Sequence, residues 1–72
     1  MAKFIINSKM QSNGDHEVHN ATIGCSYMPT PEQQIEVGEH ETCDTAVAQA
    51  KRMWTGTKIN GCYYCCNECH TR

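Results

Sequence analysis

Seventy-two residues leave room for one domain and one hydrophobic core. A core of that size supplies only about 3–5 kcal/mol on its own, so a staple is expected, and six cysteines provide it through disulfides or a metal. The formal net charge of −2 argues against broad, non-specific nucleic-acid binding.

The N-terminal apolar run Phe4-Ile5-Ile6 is too short for the core of a signal peptide, and no segment approaches the roughly 20 apolar residues of a membrane span. A reducing cytoplasm is therefore the expected compartment, which favours metal or free thiols over disulfides. In that setting Asn20-Ala21-Thr22, although it spells a glycosylation sequon, reads as chance. Charge is uneven along the chain. Residues 1–50 carry two lysines against seven acids, whereas residues 51–72 carry Lys51, Arg52, Lys58 and Arg72 against Glu68. Four cations do not make a patch, and they read as a solvated surface.

In chain order, residues 3–10 predict a strand with Phe4, Ile6 and Met10 on one face and Ile5 on the other. Asn13-Gly14 is a tight-turn signal, because both residues tolerate positive φ. Residues 16–19 then pair back as a second strand, closing an N-terminal hairpin. Met28-Pro29-Thr30-Pro31 breaks regular structure, and Gln34–Val37 predicts a short strand ending at Gly38.

One helix follows, capped by the Thr42 hydroxyl. Asp44 lies in its first turn and Lys51 and Arg52 in its last, which complements the dipole. Its apolar stripe is Ala46, Val47, Ala50, Met53 and Trp54, with Trp54 the expected core anchor and Gly56 the stop. Asn60-Gly61 reads as a second turn, leading to a last strand at Cys62-Tyr63-Tyr64. The order β-β-β-α-β predicts a single α+β domain over residues 1–72, a small antiparallel sheet packed on one helix in the C-terminal half.

The chemistry concentrates in the tail. Cys62/Cys65 and Cys66/Cys69 are two C-x2-C units with His70 adjoining, a spacing that brings two thiolates to one zinc ion. Side chains of the adjacent Cys65 and Cys66 diverge, so one ion takes one pair or the other. Zinc wants four ligands, and His19 with Cys25, in the loop after the hairpin, is the upstream pair. Such a site constrains nearly the whole fold. Disulfides or reduced structural thiols remain alternatives on count alone.

Cys43, in the first helical turn, is read as an ordinary buried cysteine rather than a reactive one. His16 and His19 point to opposite faces of their strand, His40 is a solvated turn residue, and His70 is an exposed terminal residue or a substitute for Cys69. No catalytic set and no phosphate loop appears. Tyr63 and Tyr64 have the chemistry to stack a base, although adjacent tyrosines more often split between core and surface.

The order of these features resembles the Ada-type zinc module, known from the N-terminus of a bacterial alkylation-repair regulator and from secreted nucleases. A strand leads to His19…Cys25, a proline-bearing loop to Ile35-Glu36-Val37, then come the helix from Thr42 and a C-x2-C. The resemblance covers about residues 3–65 and implies a zinc ion held by His19, Cys25, Cys62 and Cys65. Five residues rather than three separate the first pair, Gly61 stands in place of a proline, and Cys66-Asn67-Glu68-Cys69-His70 is extra. His19 in place of the first cysteine also removes the methyl-accepting thiolate, so methyl transfer is not implied. The tail itself looks like that of small bacterial cysteine-rich proteins.

The expectation is therefore a zinc-stapled cytoplasmic binding module for a protein or nucleic acid, not an enzyme, with no membrane partner and no small-molecule substrate. Its rivals are a thiol-redox or metal-handling protein that uses the tail, and a disulfide-stapled domain without metal.

Overall fold

β1 (Ala2–Asn7) supplies the centre of the sheet. In the computed structural model, which describes residues 1–71, it pairs antiparallel with β2 (Asp15–Asn20) on one side and with β3 (Gln34–His40) on the other. Arg72, one of the four cations of the basic end, lies outside the described residues. The expected N-terminal hairpin is present, with Gly14 at φ 92° in its turn.

β1 stops before the predicted residue 10. The Asn7 side chain accepts from the Lys9 N–H and Ser8 N–H bonds to the Gln33 carbonyl. The chain turns there, and Met10 is exposed rather than buried.

β4 (Lys58–Gly61) lies beside β2, giving the strand order β3-β1-β2-β4. It runs parallel to β2, so the sheet is mixed and the expectation of an antiparallel sheet is corrected. The cause is α1 (Cys43–Met53). Its start meets the tail, where Asp44 contacts Cys69. The helix ends in Trp54, whose ring stands edge-on to His16 at 4.7 Å near the opposite end of β2. A chain delivered to that end can only run back along β2 in the same direction.

α1 packs on one sheet face, where Phe4, Ile6, Val18, Ala46, Ala50 and Ile59 form the core. Trp54 is only half-buried against its edge and Met53 is exposed, so Trp54 is not the expected anchor. Thr42 occupies the cap position without a side-chain cap bond, and its carbonyl instead accepts from the Thr45 hydroxyl. His40 is not a solvated turn residue. It ends β3 with Nδ1 3.0 Å from the Thr45 hydroxyl and its ring against Phe4.

The segment read as a turn, Asn60-Gly61, is buried strand, and the expected strand at 62–64 is the start of a turn-rich tail that includes a 3-10 turn at Asn67–Cys69. The Asn60 amide oxygen accepts from the Gly61 N–H and from the backbone and hydroxyl of Thr71, and its amide nitrogen donates to Asp15. Gly61 is required by close approach: a Cβ there would stand 2.7 Å from the Cys66 carbonyl oxygen and 2.8 Å from Cys69 Cβ. Gly61→Ala is expected to destabilise the protein by about 1–3 kcal/mol, the usual cost of overpacking, seen as a lower urea midpoint at unchanged slope. An unchanged midpoint would show that the tail is not held against β4 in this way.

Candidate metal centre

The parallel register sets Val18 opposite Gly61. One step further along both strands stand His19 and Cys62, where the Cys62 N–H donates to the Val18 carbonyl at 2.9 Å. Alternation along β2 turns Val18 toward the helix and His19 to the other face, beside Ile5, its cross-strand partner. His16 and His19 thus point to opposite faces, as expected, with His16 packed on Trp54.

Cys25 is positioned by Asn20. The Asn20 side-chain oxygen accepts from the N–H groups of Thr22 and Ile23 at 3.0 and 3.1 Å, and Gly24 at φ 74° continues the turn. The buried Asn20 amide is therefore a loop organiser. At the other end, the Cys66 N–H bonds to the Cys62 carbonyl, closing the C-x2-C turn. Two further N–H groups donate to sulfur, Asn20 to Cys65 Sγ at 3.3 Å and Tyr64 to Cys62 Sγ at 3.4 Å. Donors aimed at sulfur favour the thiolate.

These elements bring His19, Cys25, Cys62 and Cys65 together, with one potential ligand atom from each all within 4.8 Å of one another. Cys25 Sγ lies 3.8 Å from Cys62 Sγ and 3.8 Å from His19 Nδ1, and Cys65 Sγ lies 3.5 Å from the same nitrogen. A tetrahedral ion with bonds of about 2.3 Å to sulfur and about 2.0 Å to nitrogen sets the S···S edges at about 3.8 Å and the S···N edges at about 3.5 Å. The four residues expected as one ligand set are thus spaced so that they could hold a metal ion. A Cys25–Cys62 separation of 3.8 Å is far beyond a disulfide of about 2.0 Å.

Burial shapes the chemistry. Desolvation lowers the His19 pKa, which favours the neutral imidazole that can ligate. Its other nitrogen, Nε2, is buried without a hydrogen-bond partner and stands 3.6 Å from Glu17 Oε1, close to the carboxylate–histidine pairing that orients metal-binding imidazoles. Glu17 was missed in the sequence, although its place two residues before His19 puts both on one strand face. Burial pushes the Cys62 thiol up, opposed by the Cys65 and Tyr64 N–H groups. Burial likewise holds the Cys65 thiol well above the ordinary range.

The remaining cysteines form a second group. Cys43, Cys66 and Cys69 also bring their sulfurs within 4.8 Å of one another, and Cys43 and Cys69 are joined as a disulfide. Adjacent Cys65 and Cys66 therefore serve different groups. Cys43 is buried but is not the plain buried thiol expected. Asp44 Oδ1 lies 3.2 Å from Cys69 Sγ. His70 joins neither group. It is half-buried, with Nδ1 3.0 Å from the Gly61 carbonyl oxygen.

Tyr63 and Tyr64 do not split between core and surface, since both are exposed. Tyr64 stacks on Tyr27 at 4.5 Å and meets Tyr63 edge-on at 5.1 Å. Among the described residues, no helix is long and apolar enough to cross a membrane. No family model, curated protein or solved structure matches this chain, so those comparisons do not bear on the Ada-type resemblance.

The lowered His19 pKa carries a sign. A folded pKa below the ordinary value of about 6.5 contributes stability that is full above that value and lost as pH falls through the folded pKa. The ring 15N shifts of His19, followed through an acid titration of the folded zinc-loaded protein, are expected to stay those of a neutral imidazole until the pH has fallen below 6.5. A midpoint at or above 6.5 would contradict the buried, neutral ring.

Proposed function

We propose that this protein is a small structural-zinc module that displays an aromatic surface to a protein partner. The observation that carries the metal reading is the spacing of His19, Cys25, Cys62 and Cys65 at the edges of a tetrahedron. Three thiolates and one imidazole in that geometry suit zinc, which has no redox chemistry and no directional preference of its own. Four protein ligands leave no open position for substrate or water, the mark of a structural rather than a catalytic site. The role proposed for this site is structural and not catalytic. Such a centre supplies roughly 10–16 kcal/mol of apparent binding free energy, more than the core of a domain this size.

The partner surface is the Tyr27, Tyr63 and Tyr64 cluster, which sits on the two segments that carry Cys25 and Cys62/Cys65. Tyrosine is enriched at the energetic centres of protein interfaces. A nucleic-acid partner would need cations beside these rings, and among the described residues Lys51, Arg52 and Lys58 stand elsewhere. Lys58 is opposite Asp15 at the far end of β2, Arg52 turns to Gln49, and Lys51 faces a depression shared with Asp44 and Glu68.

Native mass spectrometry of the reduced protein is expected to show zinc that a chelator removes together with cooperative unfolding. Cys65→Ser and Cys25→Ser should each lose this ion. Affinity should fall with acidification, because the raised Cys62 and Cys65 thiols must release protons to bind. A protein that keeps its cooperative transition in chelator would overturn the structural-zinc reading. Tyr27→Ala/Tyr64→Ala should keep the zinc and the fold. Salt-dependent retention on immobilised nucleic acid, abolished by that double variant, would replace the protein partner with a nucleic acid.

A further inference from the structure

The disulfide Cys43–Cys69 leaves one sulfur over. Cys66 Sγ lies within 4.8 Å of both bonded sulfurs, and Cys66 is buried, 3 % exposed. On the open side, Asp44 Oδ1 stands 3.2 Å from Cys69 Sγ. The set whose ligand atoms all lie within 4.8 Å of one another is the three cysteines without Asp44, so the exposed carboxylate must turn toward Cys43 and Cys66 to complete a tetrahedron. A surface depression lined by Asp44, Lys51, Glu68 and Cys69 reaches the cluster from solvent. A disulfide needs two cysteines, whereas three sulfurs and a carboxylate make a complete ligand set.

We propose that reduction of Cys43–Cys69 opens a second zinc site, with Cys43, Cys66 and Cys69 as thiolate ligands and the Asp44 carboxylate as the fourth. The tail then acts as a thiol switch that takes a metal ion when reduced and gives it up when oxidised. The reductant is a dithiol. It transfers two electrons and two protons to the Cys43–Cys69 bond, yielding two thiols, and leaves as a cyclic disulfide. Zinc then displaces three protons, one from each cysteine.

Two further features fit this assignment. Three thiolates and a carboxylate around a dication carry a net charge of −2, and the cluster sits at the first turn of α1, where the helix dipole favours anions. The C-x2-C turn is also already closed, with the Cys69 N–H bonded to the Cys66 carbonyl at 3.0 Å. The site uses no residue of the His19 centre.

The test counts zinc in the full chain by native mass spectrometry, with and without a dithiol reductant. Two zinc ions are expected in the reduced protein. One zinc, together with a protein mass lower by two hydrogens, is expected after oxidation. Cys66→Ser should hold one zinc even when reduced, yet still form the Cys43–Cys69 bond. Asp44→Asn, at an exposed position that leaves folding intact, should weaken the second site by more than the roughly 10–100-fold cost of losing an outer-shell partner. One zinc in the reduced wild type that Cys66→Ser keeps and Cys25→Ser loses, or two in reduced Cys66→Ser, would overturn the second site and leave the His19 centre standing. No zinc at all would overturn both centres.

Discussion

The hydrogen bond from the Cys62 N–H to the Val18 carbonyl continues the β2–β4 ladder by one step, and the candidate metal centre depends on it. It brings Cys62 abreast of His19, and the turn that follows carries Cys65 back to the Asn20 N–H. Gly61 makes this possible, since its missing side chain is the space into which Cys66 and Cys69 fold. Backbone pairing thus decides which sulfurs meet, and side-chain burial then decides how they titrate. With 72 residues and a core made largely of small and β-branched side chains, such ties matter more than they would in a larger domain.

Much of the candidate site was legible because local chemistry wrote it. The C-x2-C spacing, the divergence of Cys65 from Cys66, the opposed faces of His16 and His19, and the loop position of Cys25 all follow from short-range geometry. The hairpin at Asn13-Gly14 and the existence of α1 were legible for the same reason. The fold was less so. Asn60-Gly61 carries a turn signal, yet its amide is used to bind Asp15 and Thr71 and its glycine to admit the tail. Only tertiary contacts distinguish those uses. The parallel direction of β4 follows from where α1 ends, which no local pattern states. Met10 and Trp54 were placed by periodicity alone, and each lies at the margin of its element, where a turn or a chain end overrides the period.

The two cysteine groups share one segment, and this shapes what the tail can do. Cys65 and Cys66 are neighbours, so a single peptide unit joins the two groups. The His19 group faces the loop that bears Tyr27, and the Cys43 group faces the start of the helix. The tyrosine surface lies on the former side and the solvent-facing depression on the latter. The proposed contact surface and the proposed thiol switch therefore lie on different sides, although both draw on the same eight residues, 62 to 69.

The parallel pairing of β2 with β4 also has a consequence for how the molecule forms. His19 and Cys65 are 46 positions apart, and a parallel crossover cannot close through a short turn. The hairpin can form from local contacts, but the His19 group exists only once the third strand and the helix have been traversed. Loop closure over that span is entropically unfavourable before its contacts are made. During synthesis, a ribosome must release the chain beyond residue 65 before the four side chains can meet, so the nascent hairpin emerges with His19 and Cys25 but without their partners.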